Sequence, residues 1–361
     1  MANNQFQSQL QNASSGNKKL SLFLSQLDEA QQMARKLEDI KNIASEIRHF
    51  SEQGDFKYRH VHLLIFLVVC ALVALSAWLM GENNLIRRND AELYWMASLG
   101  TGVLVFLVGF MRKRNHVNSV ANRIMLKSVL IDNCLQVDDV DGKALWRSLK
   151  SSFPEFRRGD ESQAITQLYA GYLEMPEGEQ PFQLYEFHYV EVETRSYTEY
   201  DETSKTHQTR EEEIRHTFYR YGILMDFPVS GFCLSGTGLK PFREKWTTTS
   251  RYLNKKLAMT AVSEMTLAKV LQPAVILMLE EKLLAFKKPS LHVTENGKLC
   301  FAANNSEILP KAPKINLNNT DQYLSTLLQD KTNKSLAQFK QILTQLAAVN
   351  PVHTVSSNIE H

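Results

Sequence analysis

Three histidines, His188, His207 and His216, are the residues whose chemistry asks first for an account. With Glu186 and Glu191 close by they supply imidazole and carboxylate groups of the kind zinc takes. They are dispersed along strand-like sequence instead of clustered, which points to structural roles. Neither His-Glu-x-x-His nor a Gly-x-Ser-x-Gly elbow occurs. Gly236 and Gly238 precede Lys240 in SGFCLSGTGLKP without the spacing or the following helix of a phosphate loop, so this segment reads as a turn. Cys70 lies inside an apolar run, while Cys134, Cys233 and Cys300 stand far apart with no Cys-x-x-Cys pair. They read as buried small hydrophobes in a reducing compartment. No catalytic residue, metal ligand or cofactor site is assigned, and no cofactor is expected.

The chain of 361 residues has 43% apolar and 22% charged residues, which excludes collagen-like, disulfide-scaffold and wholly disordered classes. Its 41 basic and 39 acidic residues leave a net charge of +2, without the global basic footprint of a nucleic-acid binder. Nucleic acid is therefore not an expected partner. The polar start MANNQFQSQLQNASSGNKK lacks the charged start, short apolar core and cleavage site of a secretory signal, so apolar segments further on are expected to act as uncleaved anchors.

Two such segments exist. Val61 to Met80 is uncharged, and its twelve Leu, Ile, Phe and Val residues favour insertion by roughly 4 to 7 kcal/mol. Leu93 to Met111 has nine such residues and three glycines, with Tyr94 and Trp95 at one end and Trp78 near the corresponding end of the first segment. A connection of only twelve residues, Gly81 to Glu92, makes the pair an antiparallel hairpin. Arg87 and Arg88 lie in that connection, against Arg48, Lys57, Arg59, Arg112, Lys113, Arg114, Arg123 and Lys127 on the outer flanks. Eight against two predicts both termini in the cytoplasm of a bacterial inner membrane. Lys57, Arg59, Arg112, Lys113 and Arg114 form the basic collar, which reads first as a topology determinant, with contact to anionic headgroups as the alternative role. Ala97, Ser98, Thr101 and Gly102 have the small-xxx-small spacing that allows close helix approach, either between the two spans or between chains.

Before the spans, Phe23, Leu27, Ala30, Ala34, Leu37, Ile40, Ala44, Ile47 and Phe50 follow three-and-four spacing, predicting one amphipathic helix of about eight turns. It is coiled-coil-prone, with Leu27, Leu37, Ile40 and Ile47 as self-association candidates beside Ser98 and Gly102. Packing of the same seam within its own chain is the alternative.

After the spans, helix is expected to continue through VNSVANRIMLKSVLIDNCLQ, then over Lys143 to Phe153 and Glu161 to Glu174, the last capped by Asp160 and Gln163. Phe182 to Arg195 and Ile214 to Phe227 read as two long strands joined by a solvated acidic tip. Further strands are expected at 256–262, 290–295 and 298–303, the last two joined by a type I′ turn at Asn296-Gly297. Pro273 separates a short helix from a longer core helix reaching Phe286, and two helices follow near 320–329 and 335–348. The organisation expected is an N-terminal helical segment (1–60), a transmembrane hairpin (61–111), a helical connector (112–175), an α+β domain with antiparallel strands (176–315) and C-terminal helices with a polar tail (316–361).

The segment from Arg251 to Ala302, with an aromatic-Leu-Asn-Lys entry at Tyr252 to Lys255, a strand at Leu257 to Val262, a Leu-x-Pro break at Leu271 to Pro273 and a final strand pair, resembles the C-terminal signature of a bacterial family of membrane-anchored proteins known only as a domain of unknown function. The likeness covers roughly residues 170–310, with Gln272 in place of a small hydroxylated residue. It implies two N-terminal spans before a cytoplasmic α+β domain, and no activity, cofactor or catalytic residue. The function expected is a membrane-tethered interaction or scaffold protein whose partners are the lipid bilayer and an unidentified protein, with a homo-oligomer as a further candidate. The alternatives are a membrane-associated hydrolase or metal-dependent enzyme using the hairpin region, and an effector inserting its hairpin into a host membrane.

Overall fold

The structure is a computed structural model that describes residues 16–83, 87–176, 178–201 and 206–348. The expected polar start and polar tail, and the very tip of the long strand pair, lie outside the described residues. The chain divides into two compact units. One takes the described residues up to Ile131 together with Ala312–Lys331, and the other takes Asp132–Lys311 with the described residues from Thr332 onward.

In the first unit the seam expected as one eight-turn helix is two helices, α1 (Gly16–Met33) and α2 (Leu37–Gln53). Asp39 causes the break: its carboxylate accepts the backbone N–H groups of Arg35 at 2.8 Å and Lys36 at 2.9 Å, starting a new helix there. Those bonds, first the one from Arg35, hold the Asp39 carboxyl below its usual pKa. The chain turns back, so that Phe23 near the start of α1 stacks on Phe50 near the end of α2 with ring centroids 4.1 Å apart. Phe56 closes the cluster from the following linker.

Two long apolar helices follow, α3 (Val61–Glu82) and α4 (Arg88–Asp132). Both pass by length and composition as helices able to cross a membrane. Past residue 112, α4 changes character: Val117, Val120, Ala121, Ile124 and Met125 turn into a core shared with α1, α2 and a later helix, α9 (Thr320–Leu328). Tyr323 of α9 donates to the Ala121 carbonyl at 2.8 Å, and Arg123 pairs with Asp28 of α1 at 2.8 Å.

The second unit is an α+β fold on a nine-stranded antiparallel sheet. Its strands are β1 (Leu135–Val137), β2 (Glu161–Met175), β3 (Gly178–Asp201), β4 (Thr206–Asp226), β5 (Phe232–Ser235), β6 (Glu244–Trp246), β7 (Ala258–Ala261), β8 (Ser290–Val293) and β9 (Lys298–Ala303). They lie in the order β1-β2-β3-β4-β9-β8-β5-β7-β6. One face is covered by α5 (Gly142–Ser152, capped by Asp141) and the turn Pro154–Arg157, which bring Phe153 and Phe156 onto Tyr185, Phe187 and Cys300. Two short helices, α6 (Arg251–Lys256) and α7 (Glu264–Val270), flank β7 in sequence, and the other face is covered by α8 (Pro273–Met278), the π turn Leu279–Leu283 and α10 (Lys334–Ala348), where Phe339 stacks on Phe301 at 4.0 Å.

Glu161 to Glu174 is strand, not the expected helix. Its apolar residues satisfy both periods, and pairing with β3 across a short turn decides in favour of the strand: Leu168 faces Tyr185 and Met175 faces Gly178 in register. Asp160 caps no helix but accepts from the Val192 N–H at 2.9 Å. The stretch 112–175 is thus helical only in its first part. The Asn296-Gly297 hairpin is also built differently. Gly297 alone adopts positive φ, +74°, and its N–H donates to the Thr294 carbonyl, so a four-residue turn ending in a left-handed glycine replaces type I′. Cys134 is exposed, at φ +54° just past the end of α4, and not buried as expected.

Candidate functional site

The apolar hairpin is the most unusual surface of the first unit. Leu64, Ile65, Val68, Leu72 and Val73 on α3, and Leu93, Met96 and Leu104 on α4, all stand exposed. Contiguous apolar surface of this extent is far beyond what a water-exposed helix carries. What the apolar stretches of the two helices bury, before α4 enters the bundle, they bury against each other. A Cβ added at Gly102 would lie 2.7 Å from that of Cys70, and one at Gly109 would lie 2.8 Å from Leu63, so glycine is what lets the helices approach. Ser98 donates to the Cys70 carbonyl at 2.9 Å. Ser98 and Gly102 are therefore used between the two helices of one chain.

The other self-association candidates divide by burial. Leu27, Ile40 and Ile47 are fully enclosed in the core of the helical bundle, and α9 packs on α2 as a further partner. Leu37 is 43% exposed at the first turn of α2. The coiled-coil seam read from sequence is thus an intrachain core, because the fold-back at residues 34–36 brings its two halves face to face.

The basic collar is assembled where the linker into α3 meets the middle of α4. Lys57, Lys113 and Arg114 line one cavity of about 310 Å³ with Tyr58, His60, Asn316 and Asn318. Arg59 and Arg112 are exposed outside it. Asn17 fixes the linker by accepting from the Arg59 N–H and donating to its carbonyl, both at 2.7 Å. The Lys113 ammonium lies 5.6 Å from the centre of the Tyr58 ring, and His60 packs on Phe110 at 4.8 Å. Burial, with Lys113 nearby, lowers the His60 pKa, and its buried Nδ1 has no hydrogen-bond partner among the described residues. The arrangement presents cations, a ring and amides around one concavity, a fit for anionic oxygen.

The histidines singled out by type do not converge. In the β3–β4 register His188 faces Tyr219, whereas His216 faces Glu191, an odd step away, which puts the two imidazoles on opposite sides of the ribbon. His207 faces Tyr200, twelve residues or about 40 Å along β3 from His188; its side chain lies outside the described residues. His188 contacts the Ser162 carbonyl at 3.0 Å and His216 contacts Glu193 at 3.4 Å. Among the described residues no group of three His, Cys, Asp or Glu side chains is placed to hold a metal ion.

A buried charge cluster went unnoticed in the sequence. Arg220 on β4 is 2% exposed and donates to Glu155 at 2.6 Å, and Arg158 donates to the same carboxylate at 2.8 Å. The carbonyls of Lys288 and Ala302 and the Asn304 amide oxygen accept three further hydrogen bonds from the Arg220 guanidinium. An arginine at an inward-facing step of an aromatic strand was the available signal. Every group in the cluster is engaged by protein, which makes it a fastener of the fold. The cavity of about 560 Å³ between α5 and the sheet is lined mainly by apolar residues such as Leu145, Leu149, Phe153 and Leu224.

No family model, curated protein or solved structure matches this chain.

Proposed function

We propose that this is a membrane-anchored binding protein of a bacterial inner membrane, in which α3 and the first half of α4 span the bilayer and hold the bundle and the α+β unit in the cytoplasm. The observation that carries the reading is the uncovered apolar surface of the hairpin, directly adjoined by a basic collar on its outer flanks. α3, with 22 residues, is about 33 Å long, matching the ~30 Å hydrocarbon core. The basic excess on the flanks supports a terminus-inside orientation. Lys57, Lys113 and Arg114 then sit at headgroup depth, where each contributes about 1 kcal/mol of attraction to anionic lipid. On this reading the α+β unit is the binding module that the anchor holds at the membrane.

The test is a reporter active only outside the cytoplasm. Inserted between Gly81 and Glu92 it is expected to be active, and fused at either terminus it is expected to be silent, with the chain resisting extraction from membranes by alkaline carbonate. Release by carbonate, or an active terminal fusion, would overturn the anchor or its orientation respectively.

A further inference from the structure

The end of the sheet formed by β5, β7 and β6 carries a second concavity, in the α+β unit and independent of the anchor. It is an open concavity of about 480 Å³, and Lys240, Lys245, Lys255 and Lys256 line it without any carboxylate among the lining residues. None of these lysines is ion-paired among the described residues. Between residues 240 and 256 the chain also carries Arg243 and Arg251 against Glu244 alone. Ammonium groups of one sign brought into a concavity repel one another and focus a positive potential there.

The floor points the same way. Thr260 is 1% exposed, lines the pocket, and has a buried Oγ1 with no hydrogen-bond partner among the described residues. Its lateral neighbours on the sheet are Cys233 and Lys245, so the Lys245 side chain issues from the face on which the hydroxyl lies. A buried hydroxyl left without a partner is uncommon in proteins and asks for a bound group to complete it.

The walls are fixed before any ligand arrives. On one side Ser235 Oγ accepts the N–H groups of Thr237 at 3.2 Å and Leu239 at 3.1 Å, holding the turn in which Gly238 adopts φ +81°. On the other, Asn254 accepts the Thr248 N–H and donates to the Thr248 carbonyl, both at 2.8 Å.

We propose that this pocket binds a small anion carrying two or more phosphate groups, with the lysines engaging the phosphoryl oxygens and the Thr260 hydroxyl donating to one of them. The volume exceeds what a single phosphate fills and lies in the range of small-ligand sites. Its concavity, set by two pinned loops, favours a compact ligand over a polymer laid along a flat basic stripe. The phosphate cradle here consists of side-chain ammonium groups, which distinguishes it from a glycine-rich backbone loop.

The experiment is calorimetric titration of the full chain in non-ionic detergent with pyrophosphate at low salt. Saturable one-to-one binding is expected, weakening as salt rises. Lys245→Gln combined with Lys255→Gln should reduce affinity about tenfold or more. Thr260→Val should weaken binding several-fold while Thr260→Ser retains it, and Lys143→Gln, a basic residue of α5 outside the pocket, should leave binding unchanged. Absence of saturable binding, or equal weakening by Lys143→Gln, overturns the proposal. So does a single-stranded oligonucleotide that binds with the same lysine dependence while pyrophosphate does not.

Discussion

Carboxylates and guanidinium groups meet twice in the α+β unit, in opposite surroundings. Glu155, Arg220 and Arg158 meet where Glu155 and Arg220 are almost wholly enclosed, whereas Glu193 with Arg195 and Glu213 with Arg215 pair on the exposed β3–β4 ribbon at comparable distances of 2.9 and 3.1 Å. Distance alone would rank them alike. Desolvation separates them: removing one partner from the enclosed cluster strands a charge away from water, while on the ribbon water takes over the lost contact.

The sharpest way to break this comparison is Glu155→Ala, which leaves Arg220 buried without its counter-ion. A loss of about 3–5 kcal/mol in unfolding free energy is expected from chemical denaturation of the full chain in detergent. Adding Arg220→Met to that variant should restore a substantial part, because an apolar chain of similar length needs no counter-ion. If the single variant is as stable as the parent, the enclosed cluster is no different from the ribbon.

The same contrast applies to apolar residues. Ile40 is fully buried and Leu37, three residues earlier, is 43% exposed. Ile40→Ala should cost about 2–5 kcal/mol and Leu37→Ala well under half of that, read from the same denaturation curves. Equal losses would mean that Leu37 is covered by a second chain in solution.

Proton binding offers a third test. His292 is enclosed between Phe153 and Phe242, and burial lowers its pKa from 6.5 to about 4. The unfolded chain takes up the proton first as pH falls, so the stabilising effect is complete above about 6.5 and is lost as pH falls towards 4. That span corresponds to about 3 kcal/mol at most. His292→Phe should flatten the stability profile in this window, and a profile as steep as the parent's would sink the assignment. The smallest effect is expected on the ribbon, where Glu193→Gln should leave Tm unchanged within error at any salt concentration.

Much of the architecture was legible because composition and period dictated it. Uncharged runs of 19 and 20 residues read as long apolar helices, Pro273 opens α8 where proline fits best, and Asn296-Gly297 marks the turn between β8 and β9, which are buried on both faces. Errors arose where two patterns coincided or where a single side chain decided the matter. Ile165, Leu168, Tyr169, Tyr172 and Leu173 fit a helical face as well as a strand, and only the partner strand settles it. The break between α1 and α2 contains neither glycine nor proline, and its one side-chain mark is the Asp39 carboxylate that caps α2. The collar was visible as charge, but its cavity was not, because Asn316 and Asn318 join it from some two hundred residues downstream. The cluster around Glu155 likewise joins residues 65 positions apart, a separation no local pattern reports.

One feature of α4 has a mechanical meaning. It runs without interruption from Arg88 to Asp132, so the apolar half and the half packed into the bundle are a single stiff rod of about 68 Å. There is no hinge at which a disturbance could be absorbed. If the apolar half leans to match a thinner bilayer, the bundle half leans with it. A tilt of about 10° then sweeps the last thirty ångströms of the rod through about 5 Å. With the apolar half in a bilayer, as proposed above, anchor and bundle would form a lever that converts bilayer thickness into displacement.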